Sequence, residues 1–141
     1  MQEDLTKEIL DALWQAKKAL EYLPTLPVGF KPSHLRVLDA VWMAEESGTS
    51  IRISEISAHM KITRPNVTTL VQELCTLSAL EKYPSREDGR VTLLRLTPSG
   101  TACVKKYILG YHASLAEEFS HLDPGSCQQM IFSIQKIAES N

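Results

Sequence analysis

Two helical stretches, 54–60 and 63–77, follow each other with only Lys61 and Ile62 between them, and that spacing constrains the fold more than any other feature of the chain. Each opens with a hydroxyl suited to capping. Ser54 is followed by Glu55 in the positive first turn, and Thr63 by Pro65, which a first turn tolerates. In the second stretch Val67, Leu70, Val71 and Leu74 recur on one face, which leaves Arg64, Asn66, Thr68, Thr69, Gln72 and Glu73 outward. Two short helices joined by a tight turn, the second displaying hydrogen-bonding groups, have helix-turn-helix geometry.

Downstream, 80–84 and 91–97 read as strands, and Ser85-Arg86-Glu87-Asp88-Gly89-Arg90 between them is a charged hairpin loop with its turn at Asp88-Gly89. A helix-turn-helix followed by a hairpin is a winged helix. Upstream, Leu35, Leu38, Val41 and Trp42 with Pro32 in the first turn predict a helix over 32–46, and the alternation at 49–53 predicts a short strand. Leu5, Ile9, Leu13, Ala16, Leu20 and Leu23 make 5–23 an amphipathic helix, broken by Pro24, Pro27 and Gly29. After the hairpin, Thr97-Pro98 opens a long helix striped by Val104, Ile108, Tyr111, Leu115 and Phe119 and ending near His121. Asp123-Pro124 opens a last one with Met130, Ile131, Ile134 and Ile137.

The expected fold is therefore one domain over 1–141, mainly α with a small β wing. Its winged helix-turn-helix core spans about 33–98, flanked by N- and C-terminal dimerisation helices over about 1–30 and 99–141. The outer stripes have no sheet of their own to cover, so they are expected to bury each other and their copies in a symmetric homodimer.

Charge is distributed unevenly. The formal net charge is −2, but it divides into −3 over 1–50, +2 over 51–97 and −1 over 98–141. Five of the seven cations in the basic middle are arginines, the side chain suited to bidentate phosphate and guanine contacts. The longest apolar run, 40–44, is far short of the roughly 18 residues that cross a bilayer, and the acidic first residues do not resemble a secretory signal, so a cytoplasmic protein without membrane contact is expected. Cys75, Cys103 and Cys127 are widely spaced, with no C-x-x-C, and are expected to be buried free thiols. The four histidines form no H-x-x-x-H or H-x-x-H pair, so no metal is expected, and no catalytic or cofactor motif occurs.

Over nearly its whole length, and most specifically from Ile53 to Gly100, the chain resembles the multiple antibiotic resistance regulator (MarR) family of bacterial transcription regulators. Ser54-Glu55-Ile56-Ser57 followed by Ile62-Thr63-Arg64-Pro65-Asn66-Val67-Thr68-Thr69-Leu70-Val71-Gln72-Glu73-Leu74 is similar to the family's helix-turn-helix. Asp88-Gly89-Arg90 and Leu94-Arg95-Leu96-Thr97-Pro98-Ser99-Gly100 resemble its D-x-R wing and the L-x-L-T-x-x-G entry into the next helix. The resemblance implies a homodimeric regulator, most often a repressor, that binds a pseudo-palindromic operator in double-stranded DNA and is relieved by a small-molecule effector. By it, Arg64, Pro65, Asn66, Thr68, Thr69 and Gln72 face the major groove. Arg90 enters the minor groove, Asp88 orients it or holds the loop, and Arg86 touches phosphate or merely solvates the wing.

The chain departs from the family pattern in three places. Thr69 and Glu73 stand where many members carry Arg, which lowers the expected affinity. Ser78 replaces the usual Gly at the end of the recognition helix, which puts its left-handed cap in question. Lys31-Pro32-Ser33 lacks the usual capping hydroxyl before Pro, so capping is expected to fall to Ser33. Trp14, His34, Tyr107 and Tyr111 are candidates for an effector pocket where the dimer helices meet the winged domain, against the alternative that they are core. The overall acidity and Glu73 on the recognition face leave open a second function, a winged-helix protein-interaction module without DNA binding.

Overall fold

The apolar stripes fold as their spacing dictates, and nearly every predicted helix forms within two residues of its expected bounds. The computed structural model describes residues 1–21 and 25–139. In chain order the elements are α1 (Glu3–Glu21), α2 (Pro32–Glu46), α3 (Ile53–Met60), α4 (Arg64–Thr76), β1 (Leu80–Pro84), β2 (Thr92–Leu96), α5 (Pro98–Val104), α6 (Gly110–Glu118) and α7 (Pro124–Glu139). A π-helical turn, Lys105–Leu109, makes α5 and α6 one continuous rod, and a 3-10 turn, Phe119–His121, closes it. Of the first predicted helix, residues 22 and 23 and the side chains of Leu20 and Glu21 lie outside the described residues, as does Pro24, expected to break it.

The core gathers Leu38 and Val41 of α2, Ile56 of α3 and Val67, Val71 and Leu74 of α4 with Leu94 of β2 and Val104 of α5, all of them essentially without solvent contact. Full burial of each such side chain is worth about 1.5–3 kcal/mol, so this one cluster fixes how α4 sits on α2 and α3. No described residue of α1 or α7 is buried; their stripes, with Leu5, Leu10 and Trp14 on one and Met130, Ile131 and Phe132 on the other, stand open. No helix among the described residues is long and apolar enough to cross a membrane.

β1 and β2 pair antiparallel from Leu80 opposite Leu96 to Pro84 opposite Thr92. The strand expected at 49–53 does not form. It shrinks to one bridge, Ile51 to Leu94, in which the Leu94 N–H donates to the Ile51 carbonyl at 3.0 Å, because the chain turns into α3 already at Ile53. The base of the hairpin is held a second time where the Leu96 N–H donates to Glu45 Oε1 at 2.9 Å. At the other end the turn runs from Asp88 to Val91, whose N–H donates to the Asp88 carbonyl at 2.9 Å. Gly89 and Arg90 therefore occupy its centre, one residue later than expected.

Two caps differ from expectation, and the one in question at the end of α4 is left-handed. Ser54 lies inside α3, whose cap is Arg52; the Arg52 N–H donates to Glu55 Oε1 at 3.2 Å. Ser33 does not cap α2. There the Lys31 N–H donates to Nδ1 of His34 at 2.9 Å, so an imidazole one turn inside the helix does the work of a capping carboxylate. At the end of α4 the Ala79 N–H donates to the Leu74 carbonyl and the Ser78 N–H to the Cys75 carbonyl, a Schellman motif with Ser78 at φ 61° in its left-handed position. Ser78→Gly removes that strain and is expected to stabilise the protein by about 1 kcal/mol, a rise in Tm of about 3 °C at fixed protein concentration. An unchanged or lower midpoint in thermal denaturation would show that the serine carries no penalty there.

Gly100, in the first turn of α5, faces the start of β1. A Cβ at this position would stand 2.0 Å from the Ala79 carbonyl oxygen. That oxygen accepts from the Thr97 N–H at 3.1 Å, while Thr97 Oγ1 accepts from the Gly100 N–H at 3.0 Å and donates to the Ser78 carbonyl at 2.6 Å. The helix entry and the end of α4 are thus closed over each other with no room for a side chain.

Candidate nucleic-acid interface

The side chain of Thr63 accepts from the Asn66 N–H at 3.4 Å and starts α4, with Pro65 in its first turn, where a missing N–H costs nothing. Once Val67, Leu70, Val71 and Leu74 are buried, the 3.6-residue repeat leaves Arg64, Pro65, Asn66, Thr69 and Gln72 exposed and Thr68 partly so. The Thr69 hydroxyl donates to the Pro65 carbonyl at 3.1 Å, so it offers lone pairs rather than a proton to anything docked on the helix. The turn before α4 is held by the Ser57 hydroxyl, which donates to the Ile62 carbonyl, with Lys61 left-handed at φ 58°.

At the wing, Asp88 Oδ1 accepts from both the backbone N–H and Nε of Arg90, at 3.1 and 3.2 Å, and Oδ2 accepts from Nη2 at 3.4 Å. The Arg90 guanidinium, and then its backbone N–H, hold the Asp88 carboxyl below the usual carboxylate range, so Asp88 stays charged and the arginine stays oriented. The Arg90 side chain is itself 92% exposed. Arg86 and Asp88 line a polar groove beside the start of α3, together with Arg52, Tyr83 and Arg95. Arg95 lies over the Tyr83 ring at 4.7 Å and pairs with Glu81 at 2.9 Å. Arg52 and Arg95 count among the five arginines of the basic middle but had no assigned place in the site, since only the pairing of Ile51 with Leu94 brings the segment before α3 beside the hairpin.

Glu73 lies at the edge of the exposed face of α4, beside Thr69 and Gln72, with its side chain 38% exposed. Its carboxylate turns to the start of α2, 3.3 Å from Lys31 Nζ and 3.7 Å from His34 Nε2. Glu73 is thus a paired, partly exposed acid rather than the free outward one on which, with the overall acidity, the interaction-module alternative rested.

The four residues considered for an effector pocket divide. Tyr107 and Tyr111 line a cavity of about 400 Å³ between α2 and the π-helical turn, with Leu35, Arg36 and Asp39. Trp14 is not there; it stands exposed on α1 with the Lys17 ammonium 5.1 Å above its ring. Nor is His34, which is fully buried with Phe30 edge-on at 6.1 Å. The cysteines are free but only partly buried, and burial pushes the Cys103 thiol up, away from reactivity. Among the described residues no three metal-ligating side chains converge.

A helix-turn-helix with an exposed polar second helix, followed by a hairpin tipped with a presented arginine, defines a winged helix-turn-helix protein. Residues 28–91 match the model of the MarR family, so the winged segment of this chain is similar to that family. It is 29% identical over 106 residues to the HTH-type transcriptional repressor IacR of Pseudomonas putida, covering 74% of this chain and 63% of that protein. It is 31% identical over 75 residues to the HTH-type transcriptional regulator PapX of Escherichia coli, covering 53% and 46%. The chain thus spans less than two thirds of the length of either relative. In fold it is similar to Streptococcus pneumoniae FabT, solved in complex with DNA, with a TM-score of 0.74 at 16% identity over 98% of this chain and 96% of that one.

Proposed function

We propose that this protein is a sequence-specific DNA-binding transcription regulator, a homodimer that represses from a pseudo-palindromic operator. The observation that carries the reading is the pairing of two presented surfaces: the exposed face of α4, with Arg64, Asn66, Thr68, Thr69 and Gln72, and the wing arginine Arg90 held by Asp88. A helix of this kind fits the major groove, and an arginine at a wing tip suits the negative potential of a narrow minor groove. The names of the relatives, a repressor and a regulator, and the DNA-bound FabT fold support it. The open apolar stripes of α1 and α7 supply what a two-fold dimer buries, and two-fold symmetry matches half-sites about one helical turn apart.

Relief of repression has a candidate site in the cavity at Tyr107 and Tyr111, where Arg36, Asp39 and His112 add polar groups to a largely apolar lining. A small molecule that fits it better when the recognition helices are misplaced weakens DNA binding by the same coupling free energy.

Selection of random duplexes by the purified protein tests the reading, with enriched sequences re-measured by anisotropy at several salt concentrations. The expected result is a two-fold symmetric motif whose affinity falls steeply with salt as phosphate contacts release counterions. Absence of enrichment, with only weak sequence-blind binding, would return the protein to the interaction-module class.

A further inference from the structure

Glu73 sits on α4 between the exposed Gln72 and the buried Leu74, and its carboxylate reaches out of the recognition helix toward a single place in the fold. That place is the cap of α2. Lys31 contributes its side chain, with Nζ 3.4 Å from Glu73 Oε1 and 3.3 Å from Oε2, and its backbone N–H closes on Nδ1 of His34. Because Nδ1 accepts that bond, the ring proton resides on Nε2, a fully buried atom with no hydrogen-bond partner, 3.7 Å from Glu73 Oε1. One carboxylate therefore faces both halves of the cap. The charged groups acting on the imidazole are Glu73 and Lys31, and burial outweighs Glu73's attraction, holding the ring's pKa below its ordinary value.

We propose that Glu73 is a positioning residue for DNA binding, tying the second half of the recognition helix to the start of α2 through Lys31 and His34 and so setting the inclination at which Arg64 to Gln72 meet the groove. The proposal rests on the regulator reading above and adds a role that runs against the residue's charge. A carboxylate on the DNA surface repels phosphate, and its neutralisation tightens binding. A carboxylate that steadies the helix from the side loosens binding when it is neutralised. The sign of one substitution separates the two.

The test compares Glu73→Gln, Lys31→Met and the double variant on the operator recovered by selection. Each single change is expected to weaken binding about threefold to fivefold, within what a partly exposed ion pair supplies, with the double variant no worse than either. The slope of log affinity against log salt should stay as in the wild type, because no phosphate contact is lost. The swapped pair Lys31→Glu with Glu73→Lys should recover part of the loss, which a merely packed side chain would not allow. An independent readout needs no DNA. In an NMR titration of the His34 ring, Glu73→Gln should lower the pH of its transition, because the carboxylate favours the charged imidazole. Tighter operator binding by Glu73→Gln, or a His34 transition that does not move, overturns this proposal alone. Failure of the wild type to bind any duplex overturns the regulator reading, and this one with it.

Discussion

Gly100→Ala is expected to destabilise the protein by about 3 kcal/mol or more, lowering Tm by about 10 °C at fixed concentration. Elsewhere in a helix the same exchange is a gain of about 1 kcal/mol, since alanine is the better helix former and restricts the unfolded chain. Here the new Cβ meets the Ala79 carbonyl oxygen at 2.0 Å, and backbone cannot turn aside as a flexible side chain can. Relief requires α5 to lift from β1, which takes with it the Thr97 bonds to Ala79, Ser78 and Gly100. Gly110→Ala, whose nearest obstacle is an ordinary 3.4 Å contact with the Lys105 carbonyl, is the control and should be neutral or stabilising. Chemical denaturation of the two variants side by side decides the matter, and a stabilised Gly100→Ala would mean that the helix entry is looser than described.

Arg90→Ala is expected to weaken operator binding about tenfold, a loss of about 1.4 kcal/mol, and to flatten the salt dependence by about one released counterion. The loss should be similar on many operator sequences, because a minor-groove arginine reads width and potential more than base identity. Asp88→Asn tests the support separately. It removes the charge that orients the guanidinium while leaving the guanidinium in place, so a smaller loss with an unchanged salt slope is expected. Anisotropy over a salt series checks both, and an Arg90→Ala protein with wild-type affinity and slope would mean that the wing lies off the DNA.

What could be read from the sequence was what depends on near neighbours. The apolar repeat of α4, the Thr63 and Thr97 caps and the hairpin strands each follow from a few adjacent residues, and they form as expected. Ser78, read as a departure from glycine, does occupy a left-handed cap. Distant partners decided the rest. An alternating segment at 49–53 reads alike whether five residues pair or one does, and the early turn into α3 allows one. Glu73 reads as an outward acid on a helical wheel, and only Lys31 on another element draws it aside. An imidazole that caps α2 through Nδ1 belongs to no familiar capping pattern, so neither the cap nor the absence of His34 from the Tyr107 cavity was foreseeable. The extra residue of the π-helical turn carries no local signature either, yet it lies beside that cavity.

The wing's attachment has a mechanical consequence. Its backbone meets the rest of the fold at Ile51 opposite Leu94, and Glu45 catches Leu96 close by, so both fastenings sit at one end of the hairpin. Beyond them the hairpin from Leu94 to its turn at Arg90 overhangs by at most about 13 Å at ~3.3 Å per residue, a cantilever whose tip arginine is held by Asp88, and a tilt of about 10° at the root carries that tip about 2 Å. Because Glu45 belongs to α2, the helix that also walls the Tyr107 cavity, any pivot of that helix would be magnified at Arg90.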